Sequence, residues 1–164
     1  MNSYTPVAPL TGDDHLDGFC SGEHSLDQWL ADRALANQIA GFSRTYVTTD
    51  GKRVVGYHAV NSFAILRTHA TGRAGRQGPQ QIPAVLLGRL AVDDEHKGNG
   101  LGAGLLRHAM ALTVTASETI GVRLLVVNAL HHGAAGFYRR FGFAPSPTNP
   151  LDLMITVHDI KASM

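Results

Sequence analysis

The sequence predicts an α/β chain, α+β in the stricter sense, built on a mixed and mostly antiparallel sheet flanked by helices. Three observations carry that reading. Asp50-Gly51 lies between two strand-like runs, a hairpin signal. The apolar runs 82–92 and 122–130 have the length and branched content of buried strands. Between them, Leu101, Leu105, Ala109, Leu112 and Ala116 recur at helical spacing. A hairpin followed by strand, helix, strand, helix and strand implies a sheet of mixed direction.

Each element follows from local chemistry. Residues 25–42 read as one helix: Ser25 and Gln28 have capping-box spacing, Leu26, Leu30 and Ala34 share a face, and Gly41 supplies the stop. "SRTYVTT" (43–49) and "RVVGYHAVNSFAI" (53–65) are the hairpin strands. Residues 68–81 are polar, glycine-rich and basic, and read as a loop. Strand 82–92, a helix from Leu101 and strand 122–130 follow. "GAAGFYRRFGF" (133–143) reads as a short helix stopped at Gly142, and 150–157 alternates as a closing strand. No repeat, coiled coil or linker interrupts the pattern, so residues 1–164 are expected to form a single domain.

Composition narrows the class. The chain is 44% hydrophobic and 16% charged, an ordinary globular balance. The first residues carry neither a basic nor an apolar leader segment, and no apolar run is long enough to span a bilayer, so a cytoplasmic protein without membrane contact is expected. The one cysteine, Cys20, excludes an internal disulfide; it reads as small and buried. Charge is uneven: residues 1–32 hold six acids and no Lys or Arg, which leaves 14 basic against seven acidic residues afterwards. Eleven of the 14 are Arg, whose forked guanidinium suits phosphate. An ordinary soluble surface accounts for the same numbers.

"HKGNGLG" (96–102) is the informative stretch. Three alternating glycines follow a buried strand and open a helix. Without Cβ atoms, a ligand can approach the backbone N–H groups there, and the helix dipole favours an anion such as a pyrophosphate. A P-loop is excluded, since no Gly-Lys-Ser/Thr occurs. A dinucleotide fingerprint is met only formally, by Gly98, Gly100 and Ala103; a hairpin precedes it and the next strand ends in Asn128 rather than an acid. His131-His132 lack metal-ligand spacing, so no metal is expected. Trp29 reads as a core anchor.

"LGRLAVDDEHKGNGLGAGLL", followed by "VVNALHHGAAGFYRRFGF", resembles the Gcn5-related N-acetyltransferase (GNAT) superfamily. Its acetyl-CoA signature, [QR]-x-x-G-x-[GA], falls on Lys97, Gly98, Asn99, Gly100, Leu101 and Gly102, with Lys97 in place of the usual Gln or Arg. Its second signature falls on Asn128 and on Ala134 to Phe143, with Phe137 and Tyr138 in the A-x-x-F-Y core. The resemblance implies a sheet splayed between the fourth and fifth strands, with acetyl-CoA as co-substrate. It places the pantetheine along Leu90, Ala91 and Val92, with Asn128 as an anchor. A backbone N–H near Leu90 or Val92 is the implied oxyanion donor. Tyr138 matches the tyrosine that protonates the CoA sulfur; taken alone it reads more readily as a core tyrosine with its hydroxyl at the rim, and within A-x-x-F-Y as the acid.

Blocks along nearly the whole chain, among them "FCSGEHSLDQWLADRALANQIAGFSRTYV" and "FGFAPSPTNPLDLMITVHDI", resemble the GNAT toxins of bacterial toxin–antitoxin pairs. That resemblance implies acetylation of the amino group of aminoacyl-tRNA, a block of translation, a ribbon-helix-helix antitoxin and a homodimer. Arg89 interrupts an apolar strand and reads as orienting CoA or the acceptor stem, or as a structural salt bridge. Arg44, Arg73, Arg76, Arg139 and Arg140 are candidate contacts to RNA phosphate. Two other readings stay open: a GNAT acting on a small amine or a protein N-terminus, and a GNAT-fold module that binds CoA or a partner without catalysis.

Overall fold

The structure is a computed structural model that describes residues 3–164. Strand order is β1-β2-β3-β4-β5-β7-β6, where β1 is Ala8–Pro9, β2 Arg44–Asp50, β3 Arg53–Leu66, β4 Gln81–Val92, β5 Leu124–Asn128, β6 Ala144–Pro145 and β7 Asp152–Thr156. The β1–β2, β2–β3, β5–β7 and β6–β7 pairs are antiparallel, and β4–β5 is parallel. The mixed, mostly antiparallel sheet is thus present. The chain packs as two compact units: residues up to Asn61 with Gly88–Ala109, and Ser62–Leu87 with Met110–Met164.

In the first unit, helices α1 (His24–Asp32) and α2 (Ala34–Ala40) replace the single helix read over 25–42. The chain turns at Arg33, and Leu26, Leu30 and Ala34 still enter one core with Leu10, Phe19, Val47, Val54, Tyr57 and Ala91. The capping box does not form. Glu23 is the N-cap and makes no side-chain cap bond, while the Asp27 carboxylate turns back to accept from the Ser21 N–H and hydroxyl. Gly41 is the stop, in the left-handed region at φ 86°. The hairpin closes on Gly51-Lys52: Asp50 pairs with Arg53, and Gly51 takes φ 64°. Glycine as the first central residue is what a II′ turn requires, so the signal is correct but shifted by one residue.

Helix α4 (Leu101–Ser117) begins in this unit and ends in the second. Its buried positions are Leu105, Leu106, Ala109, Met110, Thr113 and Val114, whereas Leu112 and Ala116 of the expected face are only half-buried. His108 on α4 meets His58 of β3, ring nitrogen to ring nitrogen at 2.9 Å, with Tyr46 of β2 packed on both rings. His58 is fully buried and its Nδ1 has no partner among the described residues. Burial, reinforced by His108, pushes the His58 pKa down to about 3, and burial lowers His108 as well. A depressed imidazole stays neutral in the fold while the unfolded chain takes up a proton below its ordinary pKa near 6.5. Stability is therefore complete above that pH and falls as acid is added, by up to ~1.4 kcal/mol per pH unit for His58 between about 6.5 and 3. Urea melts should show the midpoint falling between pH 7.5 and 5, and His58→Gln should flatten that fall.

The second unit has its own core, in which Ile65, Ala70, Ala74, Ile82 and Ala84 meet Leu124, Val126 and Met154. The segment read as a loop over 68–81 contains a short helix, α3 (Gly72–Gly75), because the Thr71 hydroxyl accepts from the Ala74 N–H and caps it. Helix α5 (His132–Arg139) is shorter than the expected 133–143. His131, read as a solvated turn, is its N-cap: Nδ1 accepts from the Ala134 N–H at 3.1 Å. The strand expected over 150–157 stops at Thr156, whose hydroxyl caps a further helix, α6 (Val157–Ser163). No helix among the described residues is long and apolar enough to cross a membrane.

Candidate active site

The parallel β4–β5 pairing runs from Ala84–Leu124 to Leu87–Val127 and then stops. Strand β4 continues five residues beyond, through Gly88, Arg89, Leu90, Ala91 and Val92. Strand β5 itself ends at Asn128, so that stretch runs on without a β5 partner. Leu90 and Val92 are half-buried, and Ala91 between them points into the first unit's core.

After Val92 the chain is held by acid–backbone bonds. Asp93 is buried; its carboxylate accepts from the Cys20 and Glu95 N–H groups and lies 3.5 Å from Arg53. Lys97 donates to the Ser21 carbonyl and pairs with Asp94, both at 2.7 Å, so its ammonium braces the turn and leaves its backbone N–H for a ligand. The Asn99 amide likewise donates to the His96 carbonyl. Gly98 and Gly100 have φ of 82° and 79°, a region that costs L-residues roughly 1–2 kcal/mol. A Cβ built at either meets no protein atom within 4 Å, so the space above the turn is open. No turn or cap carbonyl among the described residues accepts from the N–H groups of Gly98, Gly100 or Gly102. Leu101 and Gly102 open α4, whose first-turn N–H groups lack intrahelical carbonyls. The donors, the dipole and the open space together fit a pyrophosphate. Cys20 is exposed, not buried as its residue type suggested: its N–H reaches Asp93, while its Sγ lies 3.9 Å from the exposed Asp94 carboxylate.

Arg89 is half-buried and makes no salt bridge among the described residues; its guanidinium carbon lies 4.2 Å from the centroid of Trp29. Trp29 is half-buried and stacks on Tyr57 at 6.1 Å and 12°. It is therefore a platform for Arg89 as well as a flank of the core, a role that the helical pattern around it could not signal. Burial raises the Tyr57 phenol, partly offset by the Arg89 charge.

In the second unit, Asn128 ends β5 exposed, and its amide donates to Asp152 at 2.8 Å, leaving Oδ1 for another partner. Tyr138 lies on α5 with 7% of its surface exposed, packed edge-to-face on Phe137 and against Phe143. Its hydroxyl bonds no described residue, yet it is not among the buried unpaired polar atoms, which are Ser43 Oγ, Thr45 Oγ1 and His58 Nδ1. The ring is fixed and the O–H reaches solvent. Burial pushes its pKa up to about 12, so it carries its proton at neutral pH. Arg139 and Arg140 are exposed, Arg140 over the Phe137 ring at 5.9 Å. Arg44 is exposed at the start of β2, Arg76 is exposed, and Arg73 is engaged by Asp159. Asp93, Glu95 and His96 bring ligand atoms within 4.8 Å of one another, but the Asp93 oxygens already serve backbone N–H groups and His96 Nδ1 bonds Tyr4.

Comparison with known proteins agrees with this geometry. Residues 41–145 match the acetyltransferase (GNAT) domain. The chain is 44% identical to a tRNA-acetylating toxin of Mycobacterium tuberculosis, across 99% of this chain and 98% of that one. Among solved structures, a Tyr-to-Phe mutant of KacT superposes with TM-score 0.91 at 26% identity, covering 98% and 99% of the two chains. AtaT complexed with acetyl-methionyl-tRNA superposes with TM-score 0.90 at 30% identity, with the same coverage. A Tyr-to-Phe mutant of AtaT, bound to the C-terminus of the antitoxin AtaR and to acetyl-CoA, gives 0.84 at 30%, covering 98% and 97%. The glycine turn after an unpaired strand end, the aromatic-packed tyrosine and these likenesses lead to one assignment: the chain belongs to the GNAT acetyltransferase family.

Proposed function

We propose that residues 1–164 work as one acetyl-CoA-dependent N-acetyltransferase domain that acetylates the amino group of aminoacyl-tRNA and so blocks translation. A cognate antitoxin neutralises it. The single observation that carries the chemistry is Tyr138, a ring packed between Phe137 and Phe143 whose hydroxyl is protonated and bonds no described residue. The substrate assignment is supported by the 44% identity to a tRNA-acetylating toxin along nearly all of both chains.

Acetyl-CoA, when bound, supplies an acetyl group activated as a thioester. The N–H groups of Lys97 to Gly102 hold its phosphates, and Asn128 Oδ1 anchors its pantetheine arm. The unpaired edge at Leu90 and Val92 supplies an N–H to the acyl oxygen, where negative charge grows as the amine adds. The Tyr138 hydroxyl delivers its proton to the departing sulfur. No strong protein base is required, because α-amines titrate near ~8 and the ester of an aminoacyl-tRNA lowers this further. Arg89, held flat by Trp29, orients the acceptor end. Exposed Arg44, Arg76, Arg139 and Arg140 steer the RNA backbone. The substrate places the protein in the cytoplasm. By likeness to AtaT, which is seen bound to the C-terminus of its antitoxin AtaR, the partner is an antitoxin protein; we propose that it is of the ribbon-helix-helix type and that the toxin is a homodimer.

The test is transfer of labelled acetyl from acetyl-CoA. Label should appear on charged tRNA, vanish on deacylated tRNA, and fall steeply with added salt as phosphate contacts are screened. More efficient transfer to spermidine or to a peptide N-terminus would overturn the tRNA reading while leaving the acetyltransferase intact.

A further inference from the structure

The second unit carries a cleft of about 380 Å³ lined by Arg73, Arg76, Gln77, Arg123, Thr156 and His158. We infer that this cleft is a phosphate-binding site, formed by the segment between β3 and β4 and read chiefly by Arg76. The inference concerns a site distinct from the glycine turn, and it does not depend on the identity of the acetyl acceptor.

The cleft is built rather than an incidental cluster of surface charge. Arg123 donates to the carbonyls of Ala74 and Arg73, both at 3.2 Å, and so ties the end of α3 to the start of β5. Arg67 donates to the Gly78 carbonyl at 2.8 Å from the other side of the same segment. Arg73 is locked by two hydrogen bonds to Asp159 of α6, whose carboxyl they hold below its ordinary range. Each of these arginines is fixed by a protein partner. Arg76 is not: it is exposed and bonds no described residue. Beside it, Gln77 stands at φ 59°, the single non-glycine residue among those described in the left-handed region. Strain of that kind persists where surrounding structure enforces it, and it clusters at ligand sites.

The charges select the ligand. Three guanidinium groups face one carboxylate, so the cleft keeps a net positive charge. Arg73 and Arg123 are already oriented, which lowers the ordering cost of a bound anion, and Arg76 offers a whole fork suited to two phosphate oxygens. The rim supplies further donors in the Gln77 amide and the Thr156 hydroxyl, although the latter already caps α6. The phosphate can come from an RNA backbone or from a free nucleotide; the chemistry recognised is the same.

The probe is inorganic pyrophosphate, titrated calorimetrically into the full chain with CoA saturating, so that the glycine turn is filled. Arg76→Ala disturbs no protein contact and should weaken binding about tenfold, the loss of a charge-assisted bond. Asp159→Asn removes the one opposing charge and should tighten it about fivefold, whereas a purely structural role for the Arg73–Asp159 pair would produce no gain. Filter binding of deacylated tRNA identifies the source. A log–log salt slope shallower by about one in Arg76→Ala assigns the site to RNA backbone; an unchanged slope with Arg76-dependent pyrophosphate binding assigns it to a free phosphate. Absence of pyrophosphate binding, affinity unchanged in Arg76→Ala, or binding of polyglutamate in its place would overturn the inference. Acetyl transfer by the wild-type chain is scored separately, so failure of the cleft and failure of the tRNA reading leave different records.

Discussion

Tyr138→Phe is expected to lower kcat by ~10²–10⁴-fold while leaving acetyl-CoA affinity and fold close to wild type. The reason lies in what the hydroxyl does not do. It bonds no described residue, and the ring packing on Phe137 and Phe143 is retained by phenylalanine. A stability change beyond about 0.5 kcal/mol is therefore not expected. A proton donor is needed only as the C–S bond breaks, so the loss falls on turnover rather than on KM. In cells, expression of the wild type without its antitoxin should arrest growth, and the Phe variant should be tolerated. Full turnover and full toxicity in the variant would make Tyr138 a packing residue and assign the proton to water or to another group.

Gly100→Val is expected to abolish measurable acetyl-CoA binding in a protein that still folds. At φ 79° the new residue costs roughly 1–2 kcal/mol of backbone strain, and a β-branched side chain stands at the upper end of that range. Its Cβ meets no protein atom within 4 Å, so no packing is broken. The space it takes is the space a pyrophosphate needs for contact with the N–H groups of the turn. Gly100→Ala separates the two effects: strain is similar, but the intruding volume is smaller, and a weaker affinity rather than none should remain. Calorimetric affinity unchanged in Gly100→Val would remove the turn from the cofactor site, whatever the fate of Tyr138.

How much of this was legible in the chain follows from the range over which each feature is decided. The Asp50-Gly51 hairpin, the strand ending at Val92, the glycine turn and the A-x-x-F-Y helix are each specified within about ten residues, and each is present. The errors lie where neighbours distant in sequence decide the outcome. Helix 25–42 breaks at Arg33, and Ser25 is not a cap because the helix already begins at His24, with Glu23 as its N-cap. Thr156 ends a strand and starts a helix in one step, which an alternating apolar pattern through 157 conceals. The face of α4 rotates by one position relative to its pattern, since nearly every residue on that helix is small or apolar and periodicity alone cannot choose.

The sequence by itself determined the class of sheet, the glycine turn at the head of a helix and the place of Tyr138 on its short helix, because turn chemistry and side-chain spacing are local properties of a chain. Only the tertiary structure decided which charges are free to act. Arg73 and Arg76 are indistinguishable in the sequence, three residues apart in one basic segment. A carboxylate 86 positions further on takes Arg73 and leaves Arg76 open. Arg89 interrupts a strand without an evident partner until folding brings Trp29 beneath it. A guanidinium is satisfied by whatever lies within about 3 Å in space, and that neighbour is chosen by the fold.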